Sequence, residues 1–414
     1  MTKTRQEWFK SSFIGLACIW IIIWGILPMY WGALGRWSAN IHNLSAYVVD
    51  FDGGDIGQAV TLAISTIRSD SQLSYLFKDA VDFPGGTGEI AQALRNDECW
   101  VAITINPGAS SNLSRAIESA DATYNTTQAV TAYLTSARNE NIYRDVITPQ
   151  VSSLLTNISQ TFASRHLAGL ATRQNLPALM AAAPVLVTQP LSFIINDIVP
   201  FDVPVASVVD YTGLMYMLIM SFILTLQLLS ARVETGLGRR IRLGPLIGVR
   251  LFWPPVIYFL VTLMYSLLSL VFGIPFNRKF GHAGFFIYWM MSWCTMTALG
   301  LGLETMLTVL TMKFIPIFLI LWIISNVSVV YYPIEVLPAI FRYGYATPFY
   351  NNSITTRTII FGTKNQVGLN FGVQFAWICV SCITLPIVQS LACKHELKEW
   401  YRVKQGTQEG KVDV

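Results

Sequence analysis

The chain has 414 residues, 53% hydrophobic and only 13% charged, about half the charged share of an ordinary globular domain. That balance excludes an ordinary soluble protein, and a net charge of +4 offers no basic surface for nucleic acid. Six windows are almost wholly apolar, at 12–34, 211–230, 251–273, 284–303, 314–332 and 371–392, each about the ~20 residues that a helix needs to cross a bilayer.

Residues 1–11 carry Lys3, Arg5 and Lys10 and read as a cytoplasmic N-terminus. The first apolar stretch, Ser12 through Leu34, is longer than the apolar core of a signal peptide and lacks an A-x-A site, so it reads as an uncleaved signal anchor. Residues 35–207 hold 9 Lys and Arg against 15 Asp and Glu, a net −6, and form a polar insert. Within it, 44–52 and 99–105 have strand character, and 55–69 has helical spacing with Asp55 as its expected N-cap. "FPGGTGE" is expected to be a turn that caps the next helix. It lacks the Lys and hydroxyl of a phosphate loop. Helices are expected at 109–120 and along 126–172, followed by a Pro-punctuated return path. Strands alternating with helices predict an α/β domain.

Residues 208–393 hold five closely spaced spans, and 394–414 form a tail with Lys394, Lys398, Arg402, Lys404 and Lys411. Arg232, Arg239, Arg240, Arg242 and Arg250 lie between the second and third spans. Six crossings put these basic segments on one side, which the positive-inside rule makes cytoplasmic. The expected fold is thus a polytopic α-helical membrane protein with six transmembrane helices in a 1+5 arrangement. Both termini face the cytoplasm, and an α/β extracytoplasmic domain separates helices 1 and 2.

Sequons lie at Asn43, Asn112, Asn125, Asn157 and Asn351, all on the expected extracytoplasmic side, and at Asn326 inside a span. The first five are candidate glycan acceptors, with Asn43 and Asn351 disfavoured by closeness to the membrane. Cys99 is the insert's single cysteine, so no disulfide forms within that domain. Cys379 and Cys382 form a C-x-x-C inside an apolar span, read as packing residues.

Ionisable and polar groups inside spans carry the functional expectations. Glu304 ends "ALGLGLE", in which Ala298, Gly300 and Gly302 permit close helix approach, and it is expected either to form a structural ion pair with Lys313 or the Arg-rich loop or to take part in gating. Asp210 and His282 are expected at solvated interfaces. Ser325, Asn326 and Ser328 form either interhelical hydrogen bonds or part of a permeation path. The loop bearing Arg239, Arg240 and Arg242 reads as charge attracted to anionic lipid, or as a segment that docks on a cytoplasmic partner. The region 333–370, rich in aromatics and Pro, suits short re-entrant or interfacial helices. There is no H-e-x-x-H-type metal motif, no G-x-S-x-G and no Walker A loop, so the expectation is a non-enzyme with no cofactor and no metal site.

The runs "WIISNVSVVYYPIEVLPAIFRYGYATPFYNNS" (322–353), "GFFIYWMMSWCTMTALGLGLE" (284–304) and "ECWVAITINPGASSNLSRAI" (98–117) resemble the fungal nitrosoguanidine-resistance membrane protein family, which is DUF3533-like. That family is in turn similar to ABC-2-type permeases and the phage-infection-protein group. The resemblance implies a role in resistance to toxic compounds or in lipid organisation, at the plasma membrane or the endoplasmic reticulum. Two functions follow. One is an efflux-type permease component that handles a hydrophobic small molecule or lipid and relies on a partner ATPase. The other is a non-transporting organiser or scaffold that affects lipid distribution or a partner transporter; either is compatible with an oligomer. A continuous cavity through Ser325, Asn326 and Glu304 would favour transport, whereas separate dry contacts would favour the scaffold.

Overall fold

The computed structural model describes residues 2–171 and 176–409. Among the described residues, five helices are long and apolar enough to cross a membrane: α1 (Lys3–Gly35), α6 (Val208–Glu234), α7 (Leu243–Val271), α8 (Ala283–Val327) and α10 (Val367–His395). The chain is therefore a polytopic helical membrane protein. Large apolar side chains such as Trp20, Trp24, Phe252, Trp253 and Leu260 point outward on these helices, as they must where the solvent is hydrocarbon. In α1, Pro28 has no N–H to continue the ladder, and the turn before it opens into a π-helix over Ile22–Ile26.

The windows 284–303 and 314–332 lie on the two sides of a kink within α8, which joins two helical stretches. The kink is at Thr311, where φ is 61° and ψ 172°, and the second window runs past the end of α8 at Val327. A β-branched residue at positive φ is disfavoured. The break lies one turn before Pro316, whose missing N–H already weakens the ladder there.

Between α1 and α6 the insert forms a five-stranded sheet of β1 (Ser45–Asp50), β2 (Ser74–Lys78), β3 (Val101–Ile105), β4 (Val130–Leu134) and β5 (Phe193–Asp197), in the order β2-β1-β3-β4-β5. Every pair is parallel except β3–β4, where Ile103 faces Ala132. All five residues of β3, VAITI, are buried, as suits a strand covered on both faces. Helices α2 (Asp55–Ser65), α3 (Thr87–Arg95), α4 (Ala109–Ser119) and α5 (Thr148–Leu170) pack around the sheet.

The expected strands at 44–52 and 99–105 are present, but the expected helix along 126–172 is not continuous. Its first part contains β4, whose "VTAYL" buries four of five residues beside β3, and the helical run starts only at Glu140, passing through a π-helix at Tyr143–Ile147 into α5. Asp55 is the first helical residue and not the cap. Gly54 holds the cap position, and Ser110 Oγ accepts the Ile56 N–H at 2.9 Å. "FPGGTGE" does turn into α3: Gly86 adopts φ 65° and the Glu89 carboxylate accepts the Gly85 N–H at 2.9 Å.

After α8 come two short 3-10 segments, Ile334–Val336 and Ala339–Ala346, and then α9 (Pro348–Phe361). The last is buried along most of its length despite Asn351, Asn352, Ser353, Thr355, Thr356 and Arg357. One apolar core runs from the sheet (Val48, Ile103, Ile105) through Phe341 and Phe349 to Leu299 and Leu303 of α8, so insert and membrane helices share a core.

The small-residue stretch of α8 acts through one glycine. A Cβ on Gly300 would lie 2.3 Å from Tyr258 Oη, whereas one on Gly302 would meet nothing within 4 Å. Gly300→Val is expected to destabilise the protein by about 1–3 kcal/mol, the cost of overpacking. Gly302→Val should cost far less. Paired thermal melts in detergent check this, and equal melts for the two variants would contradict the contact.

Candidate functional site: two buried ion clusters and a hydroxyl seam

Two groups of charges are buried at opposite ends of the membrane helices. At the near end, beside the insert, Arg357 of α9 sits with its side chain 3% exposed. Its Nε lies 2.8 Å from Asp210 Oδ2 of α6, and its Nη2 lies 2.7 Å from Glu140 Oε2 of the insert. Its Nη1 donates to the Arg138 carbonyl at 2.9 Å. One guanidinium thus joins a membrane helix, a buried short helix and the insert. Such a cation is held only if its donors are matched, because a lone buried charge is costly. Asp210 is wholly buried here, not solvated as its position at the start of a span suggested.

Arg138 extends the cluster. It lies 3.4 Å from Asp97 and 3.7 Å from Glu335, donates to the Cys99 carbonyl at 3.2 Å, and stacks 3.5 Å over the Trp100 ring. Asn139 and Asn141 donate to the Tyr331 carbonyl, and the Tyr332 hydroxyl donates to Asp145 at 2.9 Å. A cavity of about 440 Å³ lies between these groups, lined by Asp97, Arg138, Glu335, Tyr350, Arg357 and Lys364 among others.

Burial raises the Asp97 carboxyl above its usual range, and Arg138 and then Lys364 oppose the shift. Burial also pushes the Cys99 thiol up to about 12, so at neutral pH it is a protonated core residue. For Asp97, the folded state holds its proton to higher pH than the unfolded chain does. The folded state therefore binds more protons just above the ordinary carboxylate range, and stability falls as pH rises through that window. Asp97→Asn should flatten this part of the stability-against-pH curve. A curve identical to the unsubstituted protein's would exclude Asp97 as its source.

At the far end, Glu304 of α8 is fully buried between two arginines. Arg250 of α7 donates through Nη2 at 2.7 Å and Nε at 3.0 Å to Glu304 Oε2, and through Nη2 to the Glu304 carbonyl and Thr308 Oγ1, both at 2.8 Å. It also donates to Gln389 of α10. Arg232 of α6 reaches both Glu304 oxygens, at 3.2 and 3.3 Å. Four membrane helices meet at this carboxylate.

Between the clusters runs a seam of hydroxyls. Tyr258, Thr262, Tyr265, Ser266 and Ser269 share one face of α7, opposite Ser221 and Thr225 of α6 and Tyr288 and Ser292 of α8. Thr262, Ser269, Ser221 and Thr225 turn their protons onto carbonyls of their own helices. The hydroxyls of Tyr258, Tyr265, Tyr288, Ser266 and Ser292 are buried without a well-formed hydrogen bond to protein. Tyr265 Oη abuts Gly213, one turn from Asp210, and Tyr258 Oη abuts Gly300, one turn from Glu304.

The residues singled out by sequence divide. Glu304 is an ion-pair centre, and of its two expected partners it takes the Arg-rich segment, through Arg232 and Arg250, and not Lys313, whose ammonium lies over the Phe314 ring. Asn326 is a structural clamp: its amide donates to the Trp322 carbonyl at 2.9 Å and its oxygen accepts the Phe349 N–H at 3.3 Å, capping α9. Ser325 and Ser328 bond to carbonyls of their own helix. Ser325, Asn326 and Ser328 sit near the insert and Glu304 at the far end, so no described cavity contains them all.

Arg240 and Arg242 are exposed, while the Arg239 side chain lies outside the described residues. His282 is exposed and precedes α8. Among the sequons, Asn112, Asn125 and Asn157 are exposed in the insert, and Asn43 is exposed with its amide donating to the Glu335 carbonyl. Asn351 is 1% exposed and its amide serves two carbonyls, so it is unsuited to carry a glycan in the folded chain. Sequence reasoning missed Arg357, Glu140 and Arg138. Arg357 lies in an otherwise uncharged stretch, which was the available signal.

Among proteins of known sequence, the chain is 23% identical over 426 residues to YJR015W of Saccharomyces cerevisiae, an uncharacterized endoplasmic reticulum membrane protein. The match covers 93% of this chain and 80% of the relative. No solved structure matches. A family model described as a protein of unknown function, DUF3533, matches residues 16–383, and over that extent, sheet insert and membrane helices together, the chain belongs to the DUF3533 family.

Proposed function

We propose that the chain is a non-transporting membrane organiser, in which the insert is clamped to the membrane helices so that the two act as one body. The observation that carries this reading is Arg357 of α9, ion-paired with Asp210 of α6 and Glu140 of the insert and donating to the Arg138 carbonyl. The separate local bonding of Ser325, Asn326 and Ser328 supports it as well. In this reading α8 crosses twice about its break at Thr311, giving six crossings in a 1+5 layout. The insert then lies outside the cytoplasm and both termini inside. The partner is a transporter or other membrane protein, and no catalytic residue is assigned. The name of the yeast relative supports the endoplasmic reticulum over the plasma membrane.

Purified protein in liposomes tests this. The expected result is no saturable movement of drug or lipid, together with co-purification of a partner transporter. Saturable movement overturns the reading. Glycan-dependent gel mobility lost in an Asn112→Gln, Asn125→Gln, Asn157→Gln variant tests the side assignment separately.

The hydroxyl seam favours a second reading, an ABC-2-like permease component for toxic compounds or lipids that draws energy from a partner ATPase. The buried hydroxyls of Tyr258, Tyr265 and Tyr288 would then meet a polar part of the cargo. Here Tyr265→Phe would reduce movement while leaving the melt unchanged.

A further inference from the structure

The far-end cluster has a charge that its own carboxylate does not balance. Two guanidinium groups face one carboxylate, leaving a formal +1 at a site where Glu304 is fully buried and the Arg250 side chain is 6% exposed. Arg250 alone could neutralise Glu304, since its Nε and Nη2 both engage Oε2 while its remaining nitrogen donates to Gln389. Arg232 is therefore surplus to the pair. It spends two of its five N–H groups on Glu304, which leaves three. The other carboxylate at this end of α6, Glu234, accepts from Ser230 Oγ at 2.7 Å and makes no ion pair among the described residues.

Arg232 lines a cavity of about 710 Å³ between the far ends of α6, α7, α8 and α10. Thr308, Gln389 and Gly236 supply further polar lining. The Arg240 Nε lies 3.8 Å from where a Cβ on the lining residue Gly236 would be, so a third guanidinium is near the cavity without lining it. Much of the remaining lining is apolar, from Leu229, Leu246 and Leu307 with Val233 and Met312, and the last two are 70% and 57% exposed. A charged pocket with an apolar wall open at the surface of a membrane helix bundle is matched by an anion that carries a hydrocarbon chain. A soluble anion would leave that wall unused.

We propose that this cavity binds the phosphate of an anionic membrane lipid. Arg232 donates to the phosphate oxygens, Arg240 adds charge, and the Leu246–Leu307 wall takes the start of an acyl chain. Basic pockets between membrane helices are suited to such headgroups, and a guanidinium matches phosphate oxygens with paired donors. The site is independent of whether the hydroxyl seam conducts anything.

The test uses the full chain in detergent, titrated with phosphatidic acid, with phosphatidylcholine and with inorganic phosphate. Thermal shift and lipid retention in native mass spectrometry are the readouts. Phosphatidic acid should raise the melting temperature and remain bound, and phosphatidylcholine should not. Arg232→Gln, which leaves the Arg250–Glu304 pair intact, should weaken phosphatidic acid binding roughly tenfold with only a small drop in the lipid-free melt. Arg240→Gln touches neither partner and should weaken it less, and it serves if Arg232→Gln does not fold. Arg278→Gln, at an exposed pair with Asp202, should change nothing. Equal binding by the Arg232→Gln and unsubstituted proteins overturns the site. Inorganic phosphate acting as strongly as phosphatidic acid overturns the lipid assignment and leaves a soluble-anion site.

Discussion

Arg357→Met should be among the most damaging single substitutions in this protein. It leaves Asp210 and Glu140 without their shared cation and removes the donor to the Arg138 carbonyl. Breaking a buried ion pair from one side costs about 3–5 kcal/mol, because the remaining charge stays buried and unpaired. For a domain of ordinary marginal stability that is a large part of the total. The expected readout is a steep drop in the detergent melt and in the monodisperse fraction on size exclusion. The triple variant Arg357→Met, Asp210→Asn, Glu140→Gln should recover part of the loss, since it removes the stranded charges with the cation. A melt for Arg357→Met equal to the unsubstituted protein's would show that the clamp contributes nothing. A triple variant no better than the single would place the cost in packing.

The second large effect is expected at Glu304. Glu304→Gln leaves Arg232 and Arg250 beside each other at a fully buried position with no carboxylate, again at about 3–5 kcal/mol. Arg232→Gln removes the other side of the cluster, yet Glu304 keeps Arg250, so its cost should be much smaller. Their order is the diagnostic result: Glu304→Gln well below Arg232→Gln in thermal melts. If Arg232→Gln proved the worse of the two, Arg232 and not Arg250 would be the essential partner. Glu304→Gln with Arg250→Met should be less harmful than the sum of the two single changes, as is usual for groups that share one network.

These expectations rest on contacts of unequal legibility. Long apolar windows announce membrane helices because a span must exclude charge over ~20 residues, and that signal is local. The strands at 44–52 and 99–105 were equally plain, since β-branched and apolar runs bounded by Gly and Asp leave few alternatives. The first part of 126–172 was misread because "VTAYL" sits between stretches of helical spacing. Only pairing with Val101–Ile105 makes it a strand. Asp55 lost the cap position to Gly54 because Ser110, 54 residues downstream, occupies the first-turn donor.

Composition and charge placement alone determined that this chain lives in a membrane, carries an acidic α/β insert and gives Glu304 a basic partner, either Lys313 or the Arg-rich segment. The pairing of Arg357 with Asp210 and Glu140, the choice of Arg232 and Arg250 over Lys313, and the use of Asn326 as a cap for another helix emerge only from the folded chain. These contacts join residues tens to hundreds of positions apart. Their energies depend on burial and geometry, and nothing in a local run of side chains encodes either.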